Sequence, residues 1–355
     1  MKNSPAQRKY KSGSKTSINR SVRKRIFRIG LVLLVFVFSL GLLFSYSFYK
    51  YLNQKFASAS SSTSYSISDD LIPTVSYIVV EDLDSDPVVV KKVHFMIFNK
   101  SNKKLSIYDL PVDKDYSLPG KFGNEILSRV FALSSLNSDD KFLSGANYVN
   151  RSILKLFGFK VDKFLLTDES HEDFFDTLWR NGDVLSIKSL RDVAGLDGSF
   201  KTDIDIREFY DLMSFINSLP SDRVVDDKNF PESFKNTGIF DNSIREITFD
   251  SPVAGEKKNI SVLNGTNYDG LASFGARVIE NYGGRVVATN STARTYDKSV
   301  IITDDINSQT TGFLSRVFKI DNIVPKDQAG VYIENEVDRS DVVVIFGFDS
   351  SNDLY

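Results

Sequence analysis

The 355-residue chain contains no cysteine, which removes disulfides, thiol nucleophiles and thiolate metal sites from consideration. Its two histidines, His94 and His171, have no companion at metal-ligand spacing, and His94, between Val93 and Phe95, reads as part of an ordinary strand face. Asp82, Asp84 and Asp86 resemble half of a calcium loop. Pro87 takes the place of its glycine, however, and Val93 that of its bidentate glutamate, which sets calcium aside. No GxSxG, Walker A or GxGxxG motif occurs. One shortage is local: the first 28 residues hold no Asp or Glu.

Those 28 residues carry ten Lys and Arg, from Lys2 to Arg28, with Tyr10 as an isolated aromatic. Directly after them, residues 29–49 read IGLVLLVFVFSLGLLFSYSFY, 21 positions without a charge. As a helix this stretch spans roughly 30 Å, the thickness of a bilayer hydrocarbon core. Arg28 and Lys50 bound it, and Tyr46, Phe48, Tyr49 and Tyr51 form an interfacial belt at its far end. We expect a single-pass anchor with a cytoplasmic N-terminus and an extracytoplasmic remainder. Ala57-Ser58-Ala59 leaves open a cleaved signal peptide. The basic tail fits anionic lipid headgroups, worth about 1 kcal/mol per residue, better than nucleic acid. Beyond it, 34 basic residues face all 46 acidic ones, so a near-neutral chain hides two opposite halves.

An exported domain without disulfides must stand on its core, and 41% apolar residues, 28 of the side chains being Phe, suffice for two cores of ordinary size. The missing cysteines favour a bacterial envelope over a eukaryotic secreted setting. In that setting the sequons at Asn264 and Asn290 carry no meaning.

Residues 50–73 are expected to form a Ser-rich stalk. Strands are predicted from Thr74, over 88–100 and over 105–108. Helices are predicted over 123–136 and 145–157, a strand over 161–168, and helices over 172–179 and 206–219, the last ended by Pro220. This alternation over 74–225 predicts a layered α/β domain. Residues 226–258, with Pro231 and Pro252, are read as a linker holding an edge strand at 244–249. From 259 to 355 the strand and helix signals restart in the order βαββαβ, predicting a small two-layer sandwich.

Val262-Leu263-Asn264-Gly265-Thr266, followed by Gly270-Leu271-Ala272, resembles the C-terminal domain of the LytR-CpsA-Psr envelope family, as do Val300-Ile301-Ile302 and the run from Asp341 to Gly347. The preceding region is similar to that family's catalytic domain: residues 93–110 match its hairpin, 121–124 a Lys-Ile-Asn element, and 201–225 its Thr-Asn-Leu-Ser helix. The resemblance implies transfer of a glycopolymer from a polyprenyl pyrophosphate lipid to the cell wall, with arginines and aspartates holding Mg²⁺ and pyrophosphate. The chain departs from that pattern. Val112 stands at the motif's arginine, Lys92-Val93 replace an acidic residue, and 191–200 keep Arg191 and Asp192 without the family's Arg-x-x-Arg-Gln-Gln helix. Losing charges that stabilise a transferring phosphoryl group costs orders of magnitude in rate.

The first domain is therefore read as a divergent, non-catalytic relative that binds wall glycan or an envelope protein. The alternative is an active phosphotransferase using Asp113 with Arg129, Arg151 or Arg191, and Mg²⁺. The turn with Asn264, Gly265, Thr266 and Gly270 is the candidate ligand-binding element, because it delivers free amides at a helix start. Purely structural glycines are the plainer reading.

Overall fold

The computed structural model describes the backbone of residues 20–52, 66–135, 138–181, 199–227 and 237–354. Most of the basic tail, residues 53–65 of the expected stalk, and Arg191 with Asp192 lie outside the described residues. The chain divides into two compact units, residues 1–53 and 54–355. Helix α1 (Arg20–Leu52) is the described part of the first. Its stretch Arg28–Ser47 has no buried residue and is long and apolar enough to cross a membrane. Ser39 donates its hydroxyl to Phe36 O at 2.9 Å, so the helix satisfies its own polar side chain.

The second unit begins with β1 (Thr74–Val80), β2 (Val90–Asn99) and β3 (Lys104–Leu110), the meander predicted from β-branched runs. A small hairpin of β4 (Asp115–Ser117) and β5 (Asn124–Ile126) leads into α2 (Leu127–Ser135) and α3 (Lys141–Phe157). Asp140 starts α3 by accepting from Leu143 N at 3.0 Å, and Gly158, at φ 67°, ends it in the left-handed conformation a glycine tolerates. Then follow β6 (Lys163–Asp168), α4 (Glu172–Asn181), β7 (Phe200–Thr202), α5 (Ile206–Asn217) and β8 (Val224–Asp227).

The strands form a mixed sheet in the order β7-β6-β1-β2-β3-β8. All seven residues of β1 are buried because helices cover both faces of the sheet. Ile78, Phe95 and Ile97 point to the layer of α2 and α3, whereas Val75, Tyr77 and Met96 point to that of α4 and α5. On the first face the ring of Phe95 meets those of Tyr108, Phe157 and Phe159 at centroid distances of 5.1 to 5.3 Å. Aromatic side chains thus fill that layer.

Helices α6 (Thr237–Thr248) and α7 (Ser251–Glu256) come next. The edge strand expected at 244–249 is instead the end of α6. Ile244 and Ile247, one helical turn apart, are both buried, and Thr248 Oγ1 donates to Ile244 O (2.9 Å) and Asn281 O (2.8 Å). A second mixed sheet of order β10-β9-β13-β11-β12 contains β9 (Asn259–Asn264), α8 (Leu271–Asn281), β10 (Arg285–Ser291), β11 (Val300–Thr303), α9 (Gln309–Phe318), β12 (Ile323–Pro325), α10 (Glu336–Arg339) and β13 (Val342–Phe346), closed by α11 (Phe348–Leu354). The predicted βαββαβ order is present, extended by β12 and α10. Both regions share one cluster of buried residues, which includes Phe157, Phe159, Ile244, Val253, Tyr282, Phe313 and Phe346.

A buried polar network lies beneath α5. Lys163 Nζ is 3.3 Å from Glu208 Oε2 and donates to Asp203 O at 3.2 Å, while Asp203 Oδ1 accepts from Phe164 N at 2.7 Å. Burial pushes the Asp203 carboxyl up to about 6, against the opposing pull of the Phe164 amide and Lys163. A carboxyl raised on folding gives stability that is fully present below the unfolded value and is lost as pH rises through about 6. Asp203→Asn, which can still accept from Phe164 N, should therefore flatten the stability profile between pH 4 and 7. The comparison of denaturation midpoints with wild type should differ by about 2–3 kcal/mol across that window. Parallel profiles for the two proteins would contradict it.

Candidate functional site

Asp113 lies in the turn after β3, exposed, and makes no ion pair among the described residues. It adds to burial in raising the neighbouring Tyr116 phenol. Arg129, on α2, donates to Oε1 of Glu125 on β5 at 2.8 Å. The Ile126 amide and then Arg129 hold the Glu125 carboxyl below its ordinary range. Arg151, on α3, is half-buried and near Tyr148, whose phenol burial raises despite that positive charge. Among the described residues no hydrogen bond or ion pair joins Asp113 to Arg129 or Arg151. None offers three or more His, Cys, Asp or Glu side chains grouped to hold a metal ion.

The turn after β9 is closed on itself. Asn264 Nδ2 donates to Tyr268 O at 2.6 Å, and its Oδ1 accepts from Thr266 N at 3.0 Å and Thr266 Oγ1 at 2.8 Å. Gly265 donates to Phe346 O and accepts from Tyr296 N, both at 2.8 Å. Gly270 begins α8 at φ 84° without a side-chain cap. A Cβ on Gly265 would stand 2.7 Å from Phe346 O and 2.9 Å from the Tyr296 ring. Gly265→Ala should destabilise the fold by about 1–3 kcal/mol, measured by chemical denaturation. An unchanged midpoint would show that the β9–β13 junction relaxes freely.

Strand pairing assembles a polar row that the sequence did not disclose. Tyr77, His94 and Asp109 are neighbours across β1, β2 and β3. His94 Nδ1 is 2.5 Å from Asp109 Oδ1, and its ring stacks on Tyr77 at 5.5 Å. From α4, Glu172 pairs with Lys92, and Arg180 bridges Asp176 to Asp226 on β8. The hydrogen bond it donates to Glu172 raises the Lys92 ammonium, while burial, then Glu172, drives the Tyr77 phenol upward. The histidine and its carboxylate sit 15 positions apart, so pairing register rather than spacing brings them together.

Nearby, Ser170, His171 and Asp168 look like a nucleophilic triad in composition but not in geometry. Ser170 Oγ (2.8 Å) and Asp168 Oδ1 (2.7 Å) both meet His171 Nδ1. A working triad needs the hydroxyl and the carboxylate on opposite ring nitrogens. Burial acts to raise the Asp168 carboxyl, but the bonds from Ser170 and His171 outweigh it and hold it low.

No family model matches the chain, and no curated protein matches it. Solved structures similar to it include protein gbs0355 from Streptococcus agalactiae, 11% identical with a TM-score of 0.36, covering 47% of this chain and 80% of that one. TagV from B. subtilis is 9% identical with a TM-score of 0.34, covering 44% and 83%. A structure of TagT bound to LIIa-WTA is 12% identical with a TM-score of 0.33, covering 48% and 84%.

Proposed function

We propose that this chain is a single-pass envelope protein of LytR-CpsA-Psr type whose basic N-terminus is cytoplasmic. Its folded part is an extracytoplasmic binding module for wall glycan or an envelope protein, without phosphotransfer chemistry. One observation carries the non-catalytic half. Among the described residues, Asp113 is exposed on its turn and Arg129 is held by Glu125 rather than by Asp113, which supports that reading. The binding half is supported by the VLNGT turn and its G-L-A helix start in this chain's own sequence. The domains proposed are a stalk over 50–73, a divergent catalytic-type domain over 74–225, a linker over 226–258 and the C-terminal domain over 259–355.

The full chain in detergent should co-sediment with purified peptidoglycan or wall polymer, or crosslink to one envelope protein. If the chain shows neither co-sedimentation nor a crosslinked partner, the binding half is overturned. Supplied with Mg²⁺ and a polyprenyl-pyrophosphate glycopolymer, the chain should transfer nothing. Transfer that disappears in Asp113→Ala would overturn the non-catalytic half.

A further inference from the structure

A cavity of about 100 Å³ lies where the segment before β1 meets α7, α9 and the end of α8. One water needs roughly 10–15 Å³, and a cavity of about 150 Å³ admits benzene, so this one has room for the edge of a six-membered ring.

Four of its charged side chains are committed within the fold. Lys160 Nζ lies 3.1 Å from Asp162 Oδ1, and Asp162 Oδ2 accepts from Thr74 N at 3.0 Å and Thr74 Oγ1 at 2.7 Å. Arg316 Nη2 faces Asp70 Oδ1 at 3.8 Å, and both residues engage further partners. A charged ligand would compete with these pairs, so the cavity suits an uncharged one.

Three other polar groups keep hydrogen-bonding capacity. Tyr282 is 6% exposed, its oxygen accepts from Lys160 N at 3.2 Å, and its proton has no acceptor among the described residues. Burial, then the negative charge of Asp162, raises this phenol, so it holds its proton and stays a donor. A buried donor requires a partner. Asp250 sits beside it, with its amide donating to Tyr282 O at 3.1 Å. Asp250 Oδ1 accepts from Val253 N at 3.2 Å, whereas Oδ2 accepts no hydrogen bond among the described residues. Burial raises the Asp250 carboxyl against the pull of the Val253 amide and Arg316. Gln309, exposed at the start of α9, gives its backbone amide to Glu256 Oε1 at 2.8 Å, and its side-chain amide makes no hydrogen bond among the described residues.

One donor, one acceptor and one amide able to act as either thus border a space that Leu71, Pro252 and Phe313 also line. A hydroxyl both donates and accepts, so adjacent hydroxyls on one ring can answer all three groups, while the ring's C–H face meets the apolar wall.

We propose that this cavity binds the hydroxylated edge of an uncharged sugar ring. Tyr282 donates to one hydroxyl, Asp250 accepts from its neighbour, and Gln309 holds a third. The site is separate from the partner proposed above and does not depend on it: co-sedimentation with wall polymer tests that reading, and a free monosaccharide tests this one.

The test is isothermal titration calorimetry of the full chain in a sugar-free detergent with D-glucose, D-galactose and N-acetyl-D-glucosamine. Tetrahydropyran, a pyranose ring without hydroxyls, and acetamide, a lone donor–acceptor pair, are the controls. At least one sugar should bind saturably at a single site, about tenfold or more tighter than either control. Tyr282→Phe and Asp250→Asn should each weaken that binding about tenfold, and Gln309→Ala about threefold. Asparagine can keep the bond from Val253 N but turns the second oxygen into a donor. Melting curves will show which variants fold, and Gln309→Ala, at an exposed position, keeps the test open if the buried changes unfold the chain. Absence of saturable sugar binding to the folded wild type overturns the proposal. So does either control binding as tightly as the sugar, or sugar binding unchanged in every folded variant.

Discussion

Replacing Glu208 with alanine should lower the stability of the folded unit by about 3–5 kcal/mol. Glu208 is 1% exposed, and its two oxygens do separate work. Oε1 accepts from Ile67 N at 2.9 Å, and Oε2 accepts from Asp205 N at 2.9 Å beside Lys163 Nζ. With Asp205 it completes a capping box at the start of α5. Alanine would orphan two backbone amides and leave the Lys163 ammonium buried with less compensation. Denaturation can be followed through the chain's single tryptophan, Trp179, whose ring lies 5.9 Å from that of Phe209 on α5. A double variant, Lys163→Met with Glu208→Leu, should recover part of the loss by removing both charges together. A loss below about 1 kcal/mol in the single variant would show that water reaches the pair.

Arg277→Ala is the second large effect, about 2–4 kcal/mol. On α8, Arg277 donates through Nε to both oxygens of Asp241 on α6 at 2.9 Å, and through Nη2 to Asp241 Oδ1 at 2.7 Å. It also donates to Lys155 O at 3.2 Å and Leu156 O at 3.0 Å, carbonyls of the last turn of α3. A planar guanidinium can serve a carboxylate and a helix C-terminus together, whereas an ammonium cannot. Arg277→Lys should therefore recover less than half of the loss. Hydrogen exchange at the end of α3 should accelerate in both variants, and unchanged protection there would refute the assignment.

Much of this architecture is legible from local chemistry. The uncharged run predicts the part of α1 able to cross a membrane, and β-branched runs predict β1, β2 and β3. Within the predicted restart after residue 259, a Ser308 cap opens α9 and an unbroken apolar run makes β13. The start of α3 at Lys141 was missed by four residues, since its signal is the Asp140 cap rather than apolar spacing. Helices α6 and α7 were missed because their buried residues meet partners far away in sequence, such as Asn281 beyond Thr248. The site was less legible still. Asp113 comes from the resemblance and Arg129 is a stand-in for its missing arginine, but whether they meet depends on Glu125 claiming the arginine. His94 and Asp109 face each other only through the β2–β3 register, and the charged cavity exists only where two separate regions abut.

The grip of Glu208 on Ile67 has a mechanical side. A pull applied to the second unit from its N-terminal side enters the described fold at Ile67, whose side chain is buried and whose amide is clamped to α5. Behind that clamp lies β1, bonded to β2 on one side and β6 on the other, an interior strand of its sheet. Displacing it would require parting two ladders at once, so the pull is shared between them. Resistance to a pull from the N-terminal side of this unit thus rests on one clamped amide backed by two strand ladders.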